Sequence, residues 1–210
     1  MPQATAKPRW RRRKDARPEE IINAALEVFA DSGYAATKLE DVARRAGVTK
    51  GTIYLYFENK DALFKALIRQ TIVPVLAQGE ELAKSFTGSA RDLFEQLVRE
   101  YWRQVGETSL SGIPRLMIAE ARNFPELARF YYEEVVTRGH RLMAGVLERG
   151  IKAGEFRRVN VAVATKLAMS PLMHAVVARK AFSACMPEGF DVASYLDTHI
   201  DLYLHGIANS

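Results

Sequence analysis

From Pro18 onward, apolar residues recur at intervals of three and four positions. Ile22, Leu26 and Phe29 form one stripe behind Pro18, Glu19 and Glu20, and Asp31-Ser32-Gly33 closes it, with Gly33 as the expected left-handed cap. Thr37-Lys38-Leu39-Glu40 has the form of a capping box, in which the Thr and Glu side chains bond back to free backbone N–H groups. Behind it, Leu39, Val42, Ala43 and Ala46 give a second, short apolar face. Further along, the pattern predicts helices over 60–84, 90–106, 113–122, 125–152, 160–182 and 191–207, with Pro74 and Pro171 expected to kink or break two of them. The expected fold class is all-α.

The segment Gly51-Thr-Ile-Tyr-Leu-Tyr-Phe57 stands apart, because its β-branched and aromatic residues have strand propensity. A strand here has no partner within reach of a hairpin turn, and its backbone groups would go unpaired. Thr49 and Asn59 can cap helices on either side, and at 100° per residue Ile53 and Phe57 share one face while Gly51 and Leu55 lie opposite. Helix is the better reading. Two short helices joined through Ala46-Gly47-Val48 form a helix-turn-helix, whose second helix enters the DNA major groove. Gly51 lets the backbone approach DNA closely, Leu55 can meet a thymine methyl, and Lys50 and Thr52 can donate to base edges or phosphates. The Tyr54 and Tyr56 hydroxyls and Lys60 suit phosphate oxygens. For either tyrosine taken alone, amphipathic packing with a wet hydroxyl is the competing account.

The charge distribution sharpens this picture. The chain carries a net +5, yet residues 1–17 hold seven Lys/Arg against Asp15 alone. Residues 18–60 count five Lys/Arg against seven acids, so the helix-turn-helix cannot rely on bulk charge. The basic arm, centred on Arg11, Arg12 and Arg13, is expected to be disordered alone and to neutralise phosphates, on the competing account being only a solubilising tail.

The run from Thr37 to Phe64, TKLEDVARRAGVTKGTIYLYFENKDALF, resembles the DNA-binding domain of the TetR family of bacterial transcription regulators. The resemblance implies an all-helical homodimer, so that behind the basic arm over 1–17 stand a three-helix DNA-binding domain over 18–64 and a helical effector-binding and dimerisation domain over 65–210. It implies phosphate contact from Thr37, Tyr54, Tyr56 and Lys60, and base or groove contact from Thr49, Lys50, Gly51, Thr52 and Leu55. It also implies a pseudo-palindromic double-stranded operator and a small, largely apolar effector that releases a repressor from DNA, with activation or ligand independence as alternatives. A finer similarity of the segment from Ala119 points to a subgroup that regulates efflux pumps or quorum-related genes.

For the effector pocket, Met117, Met143, Met169, Met173, Phe124, Phe130 and Tyr131 are candidate walls and Arg122 and His174 candidate polar anchors, with ordinary core packing the competing account for each. In the last helix, Val192, Tyr195, Leu196, His199, Ile200, Tyr203 and Leu204 make a stripe wide enough for two neighbours, hence the expected dimer interface. Catalysis is not expected. There is no Gly-rich phosphate loop or nucleophile elbow, and His140, His174, His199 and His205 stand apart from any matching carboxylate motif. No cofactor and no metal site are expected, and Cys185, the single cysteine, reads as a small core hydrophobe. A non-specific architectural DNA protein would need a broad basic surface that residues 18–210 lack. No run of about 18 uncharged apolar residues appears, so a cytoplasmic protein without a membrane partner is expected.

Overall fold

The computed structural model describes residues 18–181 and 191–209, so the arm with Arg11, Arg12 and Arg13, and Cys185, lie outside the described residues. The elements are α1 (Pro18–Ala36), α2 (Leu39–Arg45), α3 (Lys50–Tyr56), α4 (Lys60–Ser85), α5 (Ala90–Tyr101), α6 (Gly112–Glu120), α7 (Pro125–Tyr131), α8 (Thr137–Lys152), α9 (Val161–Ala181) and α10 (Val192–Ile207). A π turn, Trp102–Gly106, extends α5, and another, Tyr132–Val136, joins α7 to α8. The all-α expectation holds, and the only β pairing among the described residues is an isolated bridge between Phe156 and Ala208.

Several local expectations are corrected. Thr37 does not cap α2: the helix begins after Lys38, no side chain caps it, and the Thr37 hydroxyl donates to Gly33 O at 2.6 Å. Gly33 has a positive φ of 75° but ψ of 171°, so it bends α1 in a conformation open to glycine rather than ending it as a left-handed cap. Pro74 and Pro171 break neither α4 nor α9; each helix runs through as one element.

Two apolar cores carry the molecule. The first joins α1–α4 to α6 and α7, with Tyr34 fully buried at its centre and its ring 5.6 Å from Phe29, 5.5 Å from Phe64 and 4.7 Å from Phe124. The second joins α5, α8, α9 and α10. The expected boundary at 64/65 falls inside α4, which passes from one core toward the other. Among the described residues α9 is the one helix long and apolar enough to cross a membrane, with a mean hydropathy of 1.5 over Val161–Arg179. Its Ala164, Ala168, Leu172, Ala175 and Val176 are packed into the second core.

Candidate DNA-binding surface and effector cavity

The turn between α2 and α3, with the caps that follow, explains how the β-branched and aromatic residues of α3 are held as a helix. Gly47 takes φ 72°, its N–H donates to Arg44 O at 3.3 Å, and the Val48 N–H reaches back to Ala43 O at 2.9 Å, the paired bonds of a Schellman stop. Thr49 then caps α3, its Oγ1 accepting from Thr52 N at 3.1 Å, and Asn59 caps α4, its Oδ1 accepting from Ala62 N at 2.8 Å. Ile53 and Phe57 are buried, which fixes the opposite face of α3 outward.

That face carries Lys50, Gly51, Tyr54, Leu55 and Tyr56, all exposed, with Thr49 and Thr52 half-buried beside them. Leu55 is 82% exposed, an apolar side chain left in water with nothing inside the chain to cover it. A Cβ added at Gly51 would meet only Thr49 Oγ1, so the near side of the helix is open to close approach. Thr37 and Lys60 are placed differently from expectation. Thr37 is 2% exposed with its hydroxyl spent on Gly33, and Lys60 Nζ donates to Tyr34 O at 2.6 Å and Ala35 O at 3.1 Å while lying over the Tyr34 ring. Both tie the end of α1 to its neighbours instead of presenting free donors.

The cations on this surface are partnered by acids. Lys50 Nζ lies 2.5 Å from Glu40 Oε1, Arg44 pairs with Asp41, and Arg45 pairs with Glu27. The hydrogen bond from Lys50 is the largest cause holding the Glu40 carboxyl below its ordinary range. Glu40, Arg44 and Arg45 were not anticipated as part of the site, although they lie off the apolar Leu39, Val42 and Ala43 face of α2.

A cavity of about 400 Å³ opens between α4, α5, the α7–α8 junction and α9. Its walls include Val75, Leu76, Leu97, Val98, Val135 and Leu172. Of the expected lining, Met143 and Met173, with Met169 and Tyr131, are there. The rest are elsewhere. Met117 is buried in the first core, Phe124 packs on Tyr34, and the Phe130 ring sits under Lys65 and Arg69. Arg122 and His174 are exposed and line no part of the cavity. The polar groups that line it, besides the Tyr131 phenol, include Glu100, Tyr101, His140, Lys166 and Ser170. Burial, with Lys166 nearby, pushes the His140 imidazole below its ordinary value, so it is neutral at pH 7.

The expected dimer stripe is in large part engaged within the chain itself. Leu196, Ile200 and Leu204 are buried in the second core, and Val192 packs against it. Tyr195 donates to Pro171 O, His199 bonds Ala168 O and Tyr203 donates to Ala164 O, so these three fasten α10 to α9 of the same chain. The apolar side chains left outward on the α9–α10 pair are Val163, Leu167, 61% exposed, and Leu202, 68% exposed. Among the described residues no cluster of His, Cys, Asp and Glu is placed to hold a metal ion.

Two family profiles match the chain: bacterial regulatory proteins of the tetR family over residues 21–67, and a tetracyclin repressor-like C-terminal domain over residues 86–184. The transcriptional repressor KstR2 of Rhodococcus jostii is 30% identical over 145 residues, 69% of this chain and 70% of that one. The chain belongs to the TetR family. It is a DNA-binding transcriptional regulator, not an enzyme, and acts on its operator as a dimer. Another TetR relative, the fatty acid metabolism regulator protein of Bacillus subtilis, is 26% identical over 199 residues, 93% of this chain and 99% of its own. The crystal structure of Bacillus subtilis FadR in complex with stearoyl-CoA superposes with a TM-score of 0.79 at 23% identity, covering 91% of this chain and 100% of that one. Neither relative is named for efflux or quorum regulation, and the finer similarity read from Ala119 onward is not supported.

Proposed function

We propose that this regulator is a repressor that leaves its operator when a long-chain acyl thioester occupies the cavity. The observation that carries the reading is the position of that cavity. Val75, Leu76 and Gly79 of α4 form one wall, and only three residues separate the same helix from the end of α3. An occupant that shifts α4 therefore shifts the reading helix. The size is that of a small-ligand site, the walls are mostly apolar with adaptable methionines, and Lys166 and Ser170 are exposed at its rim, where a charged headgroup would stay in water. The similarity to regulators whose names refer to fatty acid metabolism and stearoyl-CoA supports the same ligand class.

In this reading residues 18–64 hold the DNA, through Lys50, Gly51, Thr52, Tyr54, Leu55 and Tyr56, and the basic arm adds salt-dependent phosphate contacts. Residues 65–210 hold the effector and the partner, with Val163, Leu167 and Leu202 facing the second copy in an isologous interface. Stearoyl-CoA titrated into the operator complex should lower the fluorescence anisotropy of labelled DNA at micromolar concentration, while coenzyme A alone should not. Retention of DNA at saturating stearoyl-CoA contradicts the proposal.

A further inference from the structure

Both π turns of the described chain are preceded by a tyrosine that lines the cavity. Tyr101 is the last residue of α5 before Trp102–Gly106, and Tyr131 is the last residue of α7 before Tyr132–Val136. A π turn carries an extra residue and is frequent at functional sites. Here each phenol stands where an α-helix passes into such a turn, and both line one space.

Neither phenol is used by the fold. Among the described residues neither hydroxyl has a hydrogen-bond partner, and neither belongs to the sealed unpaired polar atoms, which are Trp102 Nε1 and Thr165 Oγ1. Tyr131 is buried and Tyr101 lies deep while keeping partial accessibility, so the surface they retain faces the cavity. A phenylalanine at either place would pack as well without leaving a donor unpaired.

The character of the missing acceptor follows from the rest of the lining. Burial pushes the Tyr101 phenol up to about 12 and raises Tyr131 as well, so both stay protonated donors on the one lining. Glu100, ionised and held by Arg103 and Gln104, lies on the same lining and repels an anion, while Lys166 is exposed at the rim. His140 is neutral. An uncharged oxygen with lone pairs open to two donors meets these conditions, and a carbonyl has that geometry.

We infer that Tyr101 and Tyr131 form a ligand-reading pair that donates to a neutral carbonyl oxygen, an ester, thioester or ketone, carried within an otherwise apolar effector. The inference rests on the reading of this cavity as the effector site. It makes the pair a specificity device: the site distinguishes an acyl compound from its alkyl counterpart by the cost of leaving the phenols unpaired.

The test uses methyl decanoate and decyl methyl ether, which differ by the carbonyl, titrated calorimetrically into the full-length wild type, Tyr101→Phe, Tyr131→Phe and the double variant. The wild type should prefer the ester by roughly tenfold, each single variant should lose about threefold or more of that preference, and the ether should bind all four proteins alike. The Phe variants should melt at or near the wild-type temperature, since neither hydroxyl is bonded within the fold. Equal wild-type affinity for the two probes, failure of both to bind, or a preference that survives in the double variant overturns the inference. Operator release by stearoyl-CoA is measured on the same preparations. Ester preference that depends on the tyrosines, without operator release, upholds the pair and sinks the repressor-release reading alone.

Discussion

Glu120 Oε1 accepts a hydrogen bond from the backbone N–H of Ala35 at 3.2 Å, joining the last residue of α6 to the end of α1 across 85 positions of sequence. Close by, Arg115 Nη2 donates to Ala30 O at 2.9 Å, and Lys60 Nζ holds the Tyr34 and Ala35 carbonyls from α4. The segment that leads into α2 is thus gripped by one helix of the effector-binding half and by the first residue of the helix that lines the cavity. Any displacement of α4 or α6 reaches the helix-turn-helix through polar bonds of fixed direction as well as through the shared apolar core.

The first prediction concerns that grip. Arg115→Ala with Glu120→Ala should leave calorimetric affinity for the cavity ligand within about threefold, while the factor by which the ligand weakens operator binding falls by roughly tenfold. Equal coupling in variant and wild type would assign communication to the packed core alone.

Lys50 and Glu40 give a second prediction. In the free protein the Lys50 ammonium is held by Glu40, so binding to DNA must exchange one anion for another. Glu40→Gln should strengthen binding to operator and random duplex alike by removing a negative charge beside the phosphates. Lys50→Ala should cost roughly tenfold or more on the operator and little on random DNA. An equal loss on both would place Lys50 on phosphate rather than on a base edge.

The two faces of α3 can be separated by a third pair of variants. Leu55 is exposed and touches no core, so Leu55→Ala should change stability by no more than about 0.5 kcal/mol while weakening operator binding. Ile53 is fully buried, and Ile53→Ala should cost about 2–5 kcal/mol of unfolding free energy. Denaturant melts beside anisotropy titrations check both. A Leu55→Ala protein that binds operator like wild type removes that side chain from recognition.

The helix-turn-helix was legible in the sequence because its determinants are local: Gly47 for the positive φ, Thr49 and Asn59 for the caps, Ile53 and Phe57 for the buried face. The family resemblance, on those same residues, implied the dimeric regulator that the matches bear out. The cavity was only half legible. Met143 and Met173 face it, but Tyr101, His140 and Lys166 were missed and Met117, Phe124 and Phe130 misplaced. A 3.6-residue period marks an apolar face without saying what it meets: the cavity is assembled from residues of α4, α5, α7, α8 and α9, while Met117, Phe124 and Phe130 are spent on the first core. The stripe on α10 was legible as a wide apolar face, but periodicity did not show that α9 of the same chain takes much of it, through the Ala164, Ala168 and Pro171 carbonyls.

Stability should depend on pH through two histidines. His199 is pushed below its ordinary value of 6.5 by burial, its bond to Ala168 O pulling the other way, and His140 is pushed below the same value by burial and Lys166. With the native pKa lowered, the unfolded chain takes up protons first as pH falls. The stabilising contribution is therefore complete above 6.5 and lost as pH drops below it. Glu40, Glu80 and Glu100, lowered by their cationic or hydrogen-bonding partners, lose their contribution only as pH falls below 4.5, so the two phases separate. The melting temperature should decline between pH 7 and pH 5, and His199→Gln should flatten part of that decline. A melting temperature constant over this interval contradicts the assignment.

The most direct measurement is fluorescence anisotropy of the purified protein against DNA from its own upstream intergenic region and against a scrambled duplex of equal length, each across a salt series. Sequence-specific reading by α3 in a dimer predicts a preference of about 10³ or more, with two protomers per site. Equal, steeply salt-dependent binding of this DNA and the scrambled duplex, unchanged by Lys50→Ala and Leu55→Ala, would contradict it.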